Sequence, residues 1–319
     1  MRPRPMKSTE ESDHMEKDLL KLLDLTRADI TQILDTGDEL KRLQKEGIAH
    51  PYLAGKTLAM IFTKNSTRTR VSFEAGMYQL GGHAIFLSGS DSQISRGEAT
   101  EDTARVISRY CDGMMVRTYR QEEVETLAQY ASVPVINGLT DFAHPCQVLA
   151  DLMTIREHKG RLEGLKVCYI GDGNNVANSI IAGCLKCGMD VSVATPAEYR
   201  PSEVILDYAL SVSAPGSLFT LTEDPKVAAR DADVIFTDVW ASMGQEDEMV
   251  RRQKAFAGFQ VNAQLLELAK PDCMLQHCLP AHKGEEISYD AFEAHAEEIF
   301  DEAENRLHVQ KAILYLLMK

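Results

Sequence analysis

The chain has 319 residues, 44% of them apolar, and a formal net charge of −14. That length suits two domains of ordinary size, and the acidic balance argues against general affinity for nucleic acid, so any anion site must be a local concentration of positive groups. No apolar run reaches membrane-spanning length, no apolar segment of a secretory leader follows the first residues, and seven scattered cysteines, an odd number, read as reduced thiols in the cytoplasm.

Residues 1–14 are polar and read as a loose tail. Residues 19–46 are helical by period, and Thr26-x-x-Asp29 is a capping signal that divides them into two short helices. A buried strand is predicted over 56–62. Ser66-Thr67-Arg68-Thr69-Arg70 then opens a helix over 66–80, stopped by Gly81-Gly82. Backbone N–H groups, hydroxyls and a guanidinium converge at such a helix start, which makes a site for a phosphate or another small oxyanion. The plainer reading is an ordinary cap with solvated arginines. A short strand at 84–87 leads into a long polar loop, 88–100, that carries Gln93, Arg96 and Glu98 and is functional or mobile. Helix 101–110, strand 113–118 with Arg117, helix 122–130 and strand 133–136 follow. His144-Pro145-Cys146-Gln147 opens a helix to 158, with proline in its favoured first turn.

Strands alternating with helices predict a parallel, doubly wound sheet, in which ligands bind beyond the carboxyl ends of the strands. Segments 66–70, Arg117 and 141–147 all fall there, with polar groups suited to one small anionic, carbonyl-bearing molecule. Residues 158–164 are the break between domains. A second alternating series has strands at 166–170, 190–194, 217–221, 233–237 and 274–276, with helices at 176–187 and 202–210. An apolar helix over 307–318 closes the chain and packs back on another part of it.

Gly171-Asp172-Gly173-Asn174-Asn175-Val176 is similar to a dinucleotide fingerprint, but valine stands at the third glycine position and Thr195-Pro196-Ala197 offers no ribose reader. The alternative is that Asn175 presents its amide at a helix start. Asp238 ends a strand and precedes Trp240-Ala241-Ser242-Met243-Gly244; it can hold a substrate ammonium or cap a turn. His277-Cys278-Leu279-Pro280-Ala281-His282 invites a nucleophilic-thiol reading, or a metal between two histidines, though no carboxylate cluster in the sequence completes one. Cys184-x-x-Cys187 lies within a predicted helix without a second pair at zinc-like spacing and reads as structural.

Four of these motifs, Ser66 to Arg70, His144 to Gln147, Asp238-x-Trp240-x-Ser242-Met243-Gly244 and His277 to Pro280, occur in an order and spacing that resembles the ornithine carbamoyltransferases of the transcarbamylase family, from about Leu19 to the end. The resemblance implies an α/β fold of two doubly wound domains with parallel central sheets and an active site in the interdomain cleft. A carbamoyl-phosphate-binding domain would span 15–158, with 305–319 packing back on it, and an ornithine-binding domain 159–304. Ser66, Thr67, Arg68 and Thr69 would hold the phosphate, with Gln93 reaching in from a neighbouring subunit of a homotrimer or a multiple of trimers. Arg117 and His144 would bind the carbonyl oxygen, Gln147 the carbamoyl amine, and Arg306 would lie near the carbonyl. Asn175, Asp238, Ser242 and Met243 would hold the α-carboxylate and α-ammonium of ornithine, with Cys278 and Leu279 beside its δ-amine and the carbamoyl group. Arg70 reads as structural.

On this reading the δ-amine attacks the carbonyl carbon, and Arg117, His144 and the Thr69 hydroxyl stabilise the resulting oxyanion. Phosphate leaves, no covalent intermediate forms, no metal or organic cofactor is required, and Cys278 orients groups and handles protons. The neutral amine is disfavoured at pH 7 by about three pH units, or roughly 4 kcal/mol, so the rate should rise toward alkaline pH. Three alternatives stand beside it: the same fold with another acceptor (putrescine, acylated ornithine or aspartate), a catalytically silent homologue, and a nicotinamide enzyme resting on Gly171-x-Gly173. Asp238 and the Ser-Met-Gly turn favour a free α-amino acid, and 88–100 lacks the lysine of an aspartate enzyme.

Overall fold

The computed structural model describes residues 17–89, 97–212, 218–241 and 248–319. The expected tail at 1–14, Gln93, Ser242 and Met243 lie outside the described residues. The chain divides into two compact units, Met1–Leu149 with Arg306–Lys319, and Ala150–Asn305. The division falls inside the helix that the sequence reading ends at 158.

The first unit contains α1 (Arg27–Lys45), β1 (Thr57–Phe62), α2 (Thr67–Gln79), β2 (His83–Ser88), α3 (Thr100–Ile107), β3 (Gly113–Arg117), α4 (Gln121–Tyr130), β4 (Val135–Leu139) and the start of α5 (Pro145–Lys159). Its four strands are all parallel, in the order β2-β1-β3-β4. Nearly every residue of β1 and β3 is buried, as expected of strands covered on both faces. Ala59, Ile61, Met114, Val116 and Val135 pack with Ala104, Val124 and Leu127 of the covering helices.

Thr26 does form a capping box with Asp29: the Asp29 N–H donates to the threonine hydroxyl at 3.1 Å, and the Thr26 N–H to the carboxylate at 2.8 Å. It starts one long helix instead of dividing two. Upstream, among the described residues, there is only a single turn at Leu22–Asp24, because Leu19 is drawn out to pair with β4: its N–H donates to the Val135 carbonyl, and its carbonyl accepts from the Asn137 N–H.

The second unit contains β5 (Lys166–Ile170), α6 (Asn175–Lys186), β6 (Asp190–Ala194), α7 (Glu203–Val212), β7 (Phe219–Thr222), α8 (Pro225–Ala229), β8 (Val234–Thr237), α9 (Met249–Ala255), α10 (Ala263–Leu266), β9 (Met274–His277), α11 (Tyr289–Ala294) and the first part of α12 (Ala296–Met318). Its five parallel strands run in the order β7-β6-β5-β8-β9. Cys168, Ile170, Ile235 and Leu275 form a core with Trp240, Phe256 and Phe259. Cys184 and Cys187 end α6, both buried, and burial raises the Cys184 thiol well above its ordinary value.

The last helix starts eleven positions before the expected 307. The acidic stretch 297–304 looks solvated in sequence, but Glu297 and Glu298 lie in the first turn, where carboxylates favour the helix dipole. Two of its acids also hold backbone in place: Glu298 accepts the Leu275 N–H and Glu302 the His277 N–H, each at 2.8 Å. The end of α12 belongs to the first unit. There Lys311 is fully buried, donating to Gln44 at 2.6 Å and lying 3.3 Å from His50 Nε2.

Candidate active site

In an open parallel sheet, the crevice for a ligand opens beyond the carboxyl ends of the two strands where the winding reverses. In the first unit these are β1 and β3, whose ends pair Phe62 with Arg117. In the second they are β5 and β8, where Ile170 pairs with Thr237. Ser66 to Arg70 and Arg117 lie at the first pair of ends, and Gly171 to Val176 and Asp238 at the second, while His144 follows β4 and His277 ends β9.

In the first unit Ser66 is the N-cap of α2, accepting the Thr69 N–H at 3.2 Å. Thr67 and Arg68 are exposed at the helix start, while Thr69 is buried. Arg306 is buried and reaches two of the expected residues: it donates to Gln147 Oε1 at 2.5 Å and to the Thr69 hydroxyl at 3.2 Å. Arg117 and His144 are buried. Burial pushes the His144 imidazolium well below its ordinary range, with Arg306, Arg117 and Arg68 adding repulsion, so the ring is neutral at pH 7 and its charge does not oppose the arginines around it. Arg70 lies over the Phe86 ring and pairs with Glu74, as a structural residue does. The sequence reading missed Lys64, which is buried, pairs with Asp141 at 2.5 Å and lies over Tyr119, tying the segment before the cap to those after β3 and β4.

In the second unit Asp238 is buried and held on both oxygens. Its Oδ1 accepts the Val239 N–H at 2.8 Å and the Cys278 thiol at 3.1 Å, and its Oδ2 accepts the Asn174 amide at 2.8 Å. Asn174, not Asn175, is thus the N-cap of α6: its Oδ1 accepts from Val176 and Ala177 while its amide points to Asp238. Asn175 follows it as the first helical residue, at the helix start, and is buried. Burial, then Asp238, Glu302 and Asp151, raise the Cys278 thiol well above its ordinary value. It is therefore a hydrogen-bond donor at neutral pH, and a poor nucleophile or base.

Asp238 also supplies the carboxylate that the sequence reading did not find beside His277 and Cys278; one donor atom of each lies within 4.8 Å of the others. His277 is already engaged on both nitrogens. Its Nε2 lies 3.0 Å from the buried Glu286 carboxylate, and its Nδ1 accepts the Leu279 N–H at 3.0 Å. That bond accompanies a left-handed Leu279, φ 56°, a conformation uncommon for a branched residue and characteristic of functional sites. Gly173 serves packing: a Cβ there would sit 2.2 Å from the Pro201 nitrogen and 2.5 Å from the Tyr199 carbonyl oxygen. Its missing side chain accommodates the protein's own backbone and not a pyrophosphate, which removes the main support for a nicotinamide site.

Residues 17–157 match the carbamoyl-P binding domain of the aspartate/ornithine carbamoyltransferases, and residues 163–317 match their Asp/Orn binding domain. The chain belongs to this family. It is 57% identical over 303 residues to the ornithine carbamoyltransferase of Carboxydothermus hydrogenoformans, covering 95% of this chain and 97% of that one. It is 56% identical to the anabolic ornithine carbamoyltransferase of Pyrococcus furiosus, with 95% and 96% covered. The solved structure of ornithine carbamoyltransferase from Pyrococcus furiosus superimposes with a TM-score of 0.90 at 55% identity, covering 94% of this chain and 96% of that one. Both doubly wound units are thus those of a carbamoyltransferase.

Proposed function

We propose that the enzyme transfers the carbamoyl group of carbamoyl phosphate to the δ-amine of L-ornithine, giving L-citrulline and phosphate in arginine biosynthesis. The observation that carries this reading is that the first unit gathers basic residues at its switch point and the second gathers acidic ones. An anion and a cationic amino acid are the substrates those fields favour. The high identity to ornithine carbamoyltransferases over nearly the full chain supports the choice of acceptor.

In this reading Ser66, Thr67, Arg68 and Thr69 hold the phosphate at the start of α2. Arg117, His144 and Arg306 surround the carbamoyl carbonyl and stabilise the oxyanion as it forms. A neutral His144 donates one hydrogen bond there at no cost of imidazolium burial. Gln147 accepts from the carbamoyl amine. Asp238 takes the α-ammonium, with Asn175, Ser242 and Met243 completing the α-carboxylate contacts. Cys278 and Leu279 border the δ-amine, and the thiol orients it without forming a covalent adduct. One carbon–nitrogen bond is made, so both half-sites must serve a single pair of reactants; holding the two together is itself a large share of the catalysis. Phosphate is a good leaving group and can take the amine's proton, so the chemistry requires no metal or organic cofactor.

The reading includes a homotrimer, or a multiple of one, with Gln93 contributed by a neighbouring subunit. It also places the enzyme in the cytoplasm. No described helix is long and apolar enough to cross a membrane. The test is stoichiometric: carbamoyl phosphate and ornithine should disappear together as citrulline and phosphate appear in equal amounts. Phosphate release without citrulline would contradict the reading. Sedimentation, with Gln93→Ala mixed against an active-site variant of another subunit, tests the trimer, because shared sites restore activity on mixing and self-contained sites do not.

A further inference from the structure

Arg252, on α9, is buried and belongs to none of the motifs discussed so far. Its Nη1 donates to Asp172 Oδ2 at 2.7 Å and to the Trp240 carbonyl at 2.8 Å, and its Nε donates to Glu248 at 3.0 Å. The guanidinium carbon lies 4.8 Å from the centre of the Tyr199 ring. Asp172 stands two residues before Asn174, whose amide orients Asp238; Trp240 stands two residues after Asp238. One planar cation therefore holds the chain on both sides of that carboxylate. Tyr169 closes the same loop, its hydroxyl donating to the Asp172 carbonyl at 2.8 Å.

We infer that Arg252 and Asp172 are positioning residues for the amino-acid substrate, fixing through Asn174 and Trp240 the direction in which Asp238 presents its carboxylate. This rests on the reading of Asp238 as the α-ammonium partner. Lysine cannot replace the arginine, because a single ammonium lacks the fork that reaches three acceptors in different directions. Stability alone does not explain the pair. A buried ion pair is generally no better for stability than neutral residues of like volume, although removing one partner alone is strongly destabilising.

The pair is also sensitive to pH. Burial pushes the Asp172 carboxyl up to about 6, with Asp238 and Glu248 adding to the rise and Arg252 opposing it. The charged or titratable groups facing it are thus Arg252, Asp238, Glu248 and Tyr169. As pH falls through about 6 the carboxylate takes up a proton, the charge-assisted bond to Arg252 weakens, and the hold on Asp238 loosens.

The experiment uses L-2-aminopentanoate, which has ornithine's carbon chain without the δ-amine, so that its binding to the full-length enzyme with carbamoyl phosphate present reports the α-amino-acid contacts alone. Arg252→Lys and Asp172→Asn should weaken it roughly 10- to 100-fold, the scale of a misplaced contact. The KM for carbamoyl phosphate should stay within about twofold, as the first unit's residues are untouched. The wild-type dissociation constant should rise from pH 7 to pH 5, and that of Asp172→Asn should not. The double variant Asp172→Asn/Arg252→Met leaves neither charge buried alone, so it should recover most of the melting temperature lost in Arg252→Met yet still bind weakly. Unchanged affinity in folded single variants overturns the inference, as does joint recovery of stability and affinity in the double variant. Citrulline formation by the wild type is measured alongside. If variants behave as stated but no citrulline forms, the ornithine reading falls and the positioning role stands; if the wild type does not bind the probe, both fall.

Discussion

The two units solve the same architectural problem with opposite charge. Each places its site at the switch point of a parallel sheet. The first surrounds His144 with Arg68, Arg117 and Arg306; the second surrounds Cys278 with Asp238, Glu302 and Asp151. In each, burial and neighbouring charges act on the central group in the same direction. The imidazole is pushed down and the thiol up, so both are neutral at physiological pH. In the proposed reading these fields match the charges of the substrates, while the central groups supply hydrogen bonds without adding charge, and catalysis falls to fixed cations and fixed anions.

The comparison can be broken first at Arg117. If the first unit supplies oxyanion stabilisation, Arg117→Ala should lower kcat by roughly 100- to 1,000-fold, the scale of one lost donor, while L-2-aminopentanoate binding changes little. Steady-state kinetics and a binding titration on the same preparation check both halves; equal loss of the two would erase the division of labour. Cys278→Ser comes next. A donor hydroxyl replaces a donor thiol, so the loss should be about tenfold, far short of the several orders of magnitude that follow removal of a nucleophile. A carbamoyl label that survives denaturation on Cys278 would contradict this.

The pH profile sharpens the same point. His144 is held well below 6.5 and is already neutral across the neutral and alkaline range, so the rise in rate with pH should come from deprotonation of the δ-amine. His144→Asn should lower the curve without changing its shape. A change of shape would give the histidine a titrating role. The smallest effect concerns stability. Burial lowers the Lys311 ammonium to about 8, against 10.5 in an unfolded chain. The native state therefore holds that proton less tightly, and carries a cost that is full below about pH 8 and vanishes as pH rises through 10.5. Lys311→Met should raise the melting temperature by a few degrees at pH 7, with a gain that narrows by pH 10; a gain constant with pH would remove the electrostatic explanation.

Local signals with one strong cause were legible in the sequence. The Ser66 cap, the Thr26 capping box and the strand of apolar residues before Ser66 lie at or within a residue of their expected places, because each depends on neighbours close in sequence. What could not be read depends on distant partners. In the acidic first half of α12, Glu298 and Glu302 hold the backbone of β9. The bond by which Asn174 orients Asp238 spans sixty-four residues. Arg252 lies eighty residues from Asp172, and nothing in the residues around it announces a buried partner. The left-handed turn at Leu279 likewise depends on the hydrogen bond of its N–H to His277, which no local propensity predicts.

The central claim is that Asp238 makes the second half-site a reader of a free α-amino acid. The most direct measurement compares kcat/KM for ornithine, putrescine and N-acetylornithine at saturating carbamoyl phosphate, in the wild type and in Asp238→Asn. Ornithine should be strongly preferred by the wild type, and the preference should shrink by roughly 10- to 100-fold in Asp238→Asn, the worth of one charge-assisted bond. A wild type that prefers putrescine or N-acetylornithine, or a preference for ornithine that survives the substitution intact, would contradict it.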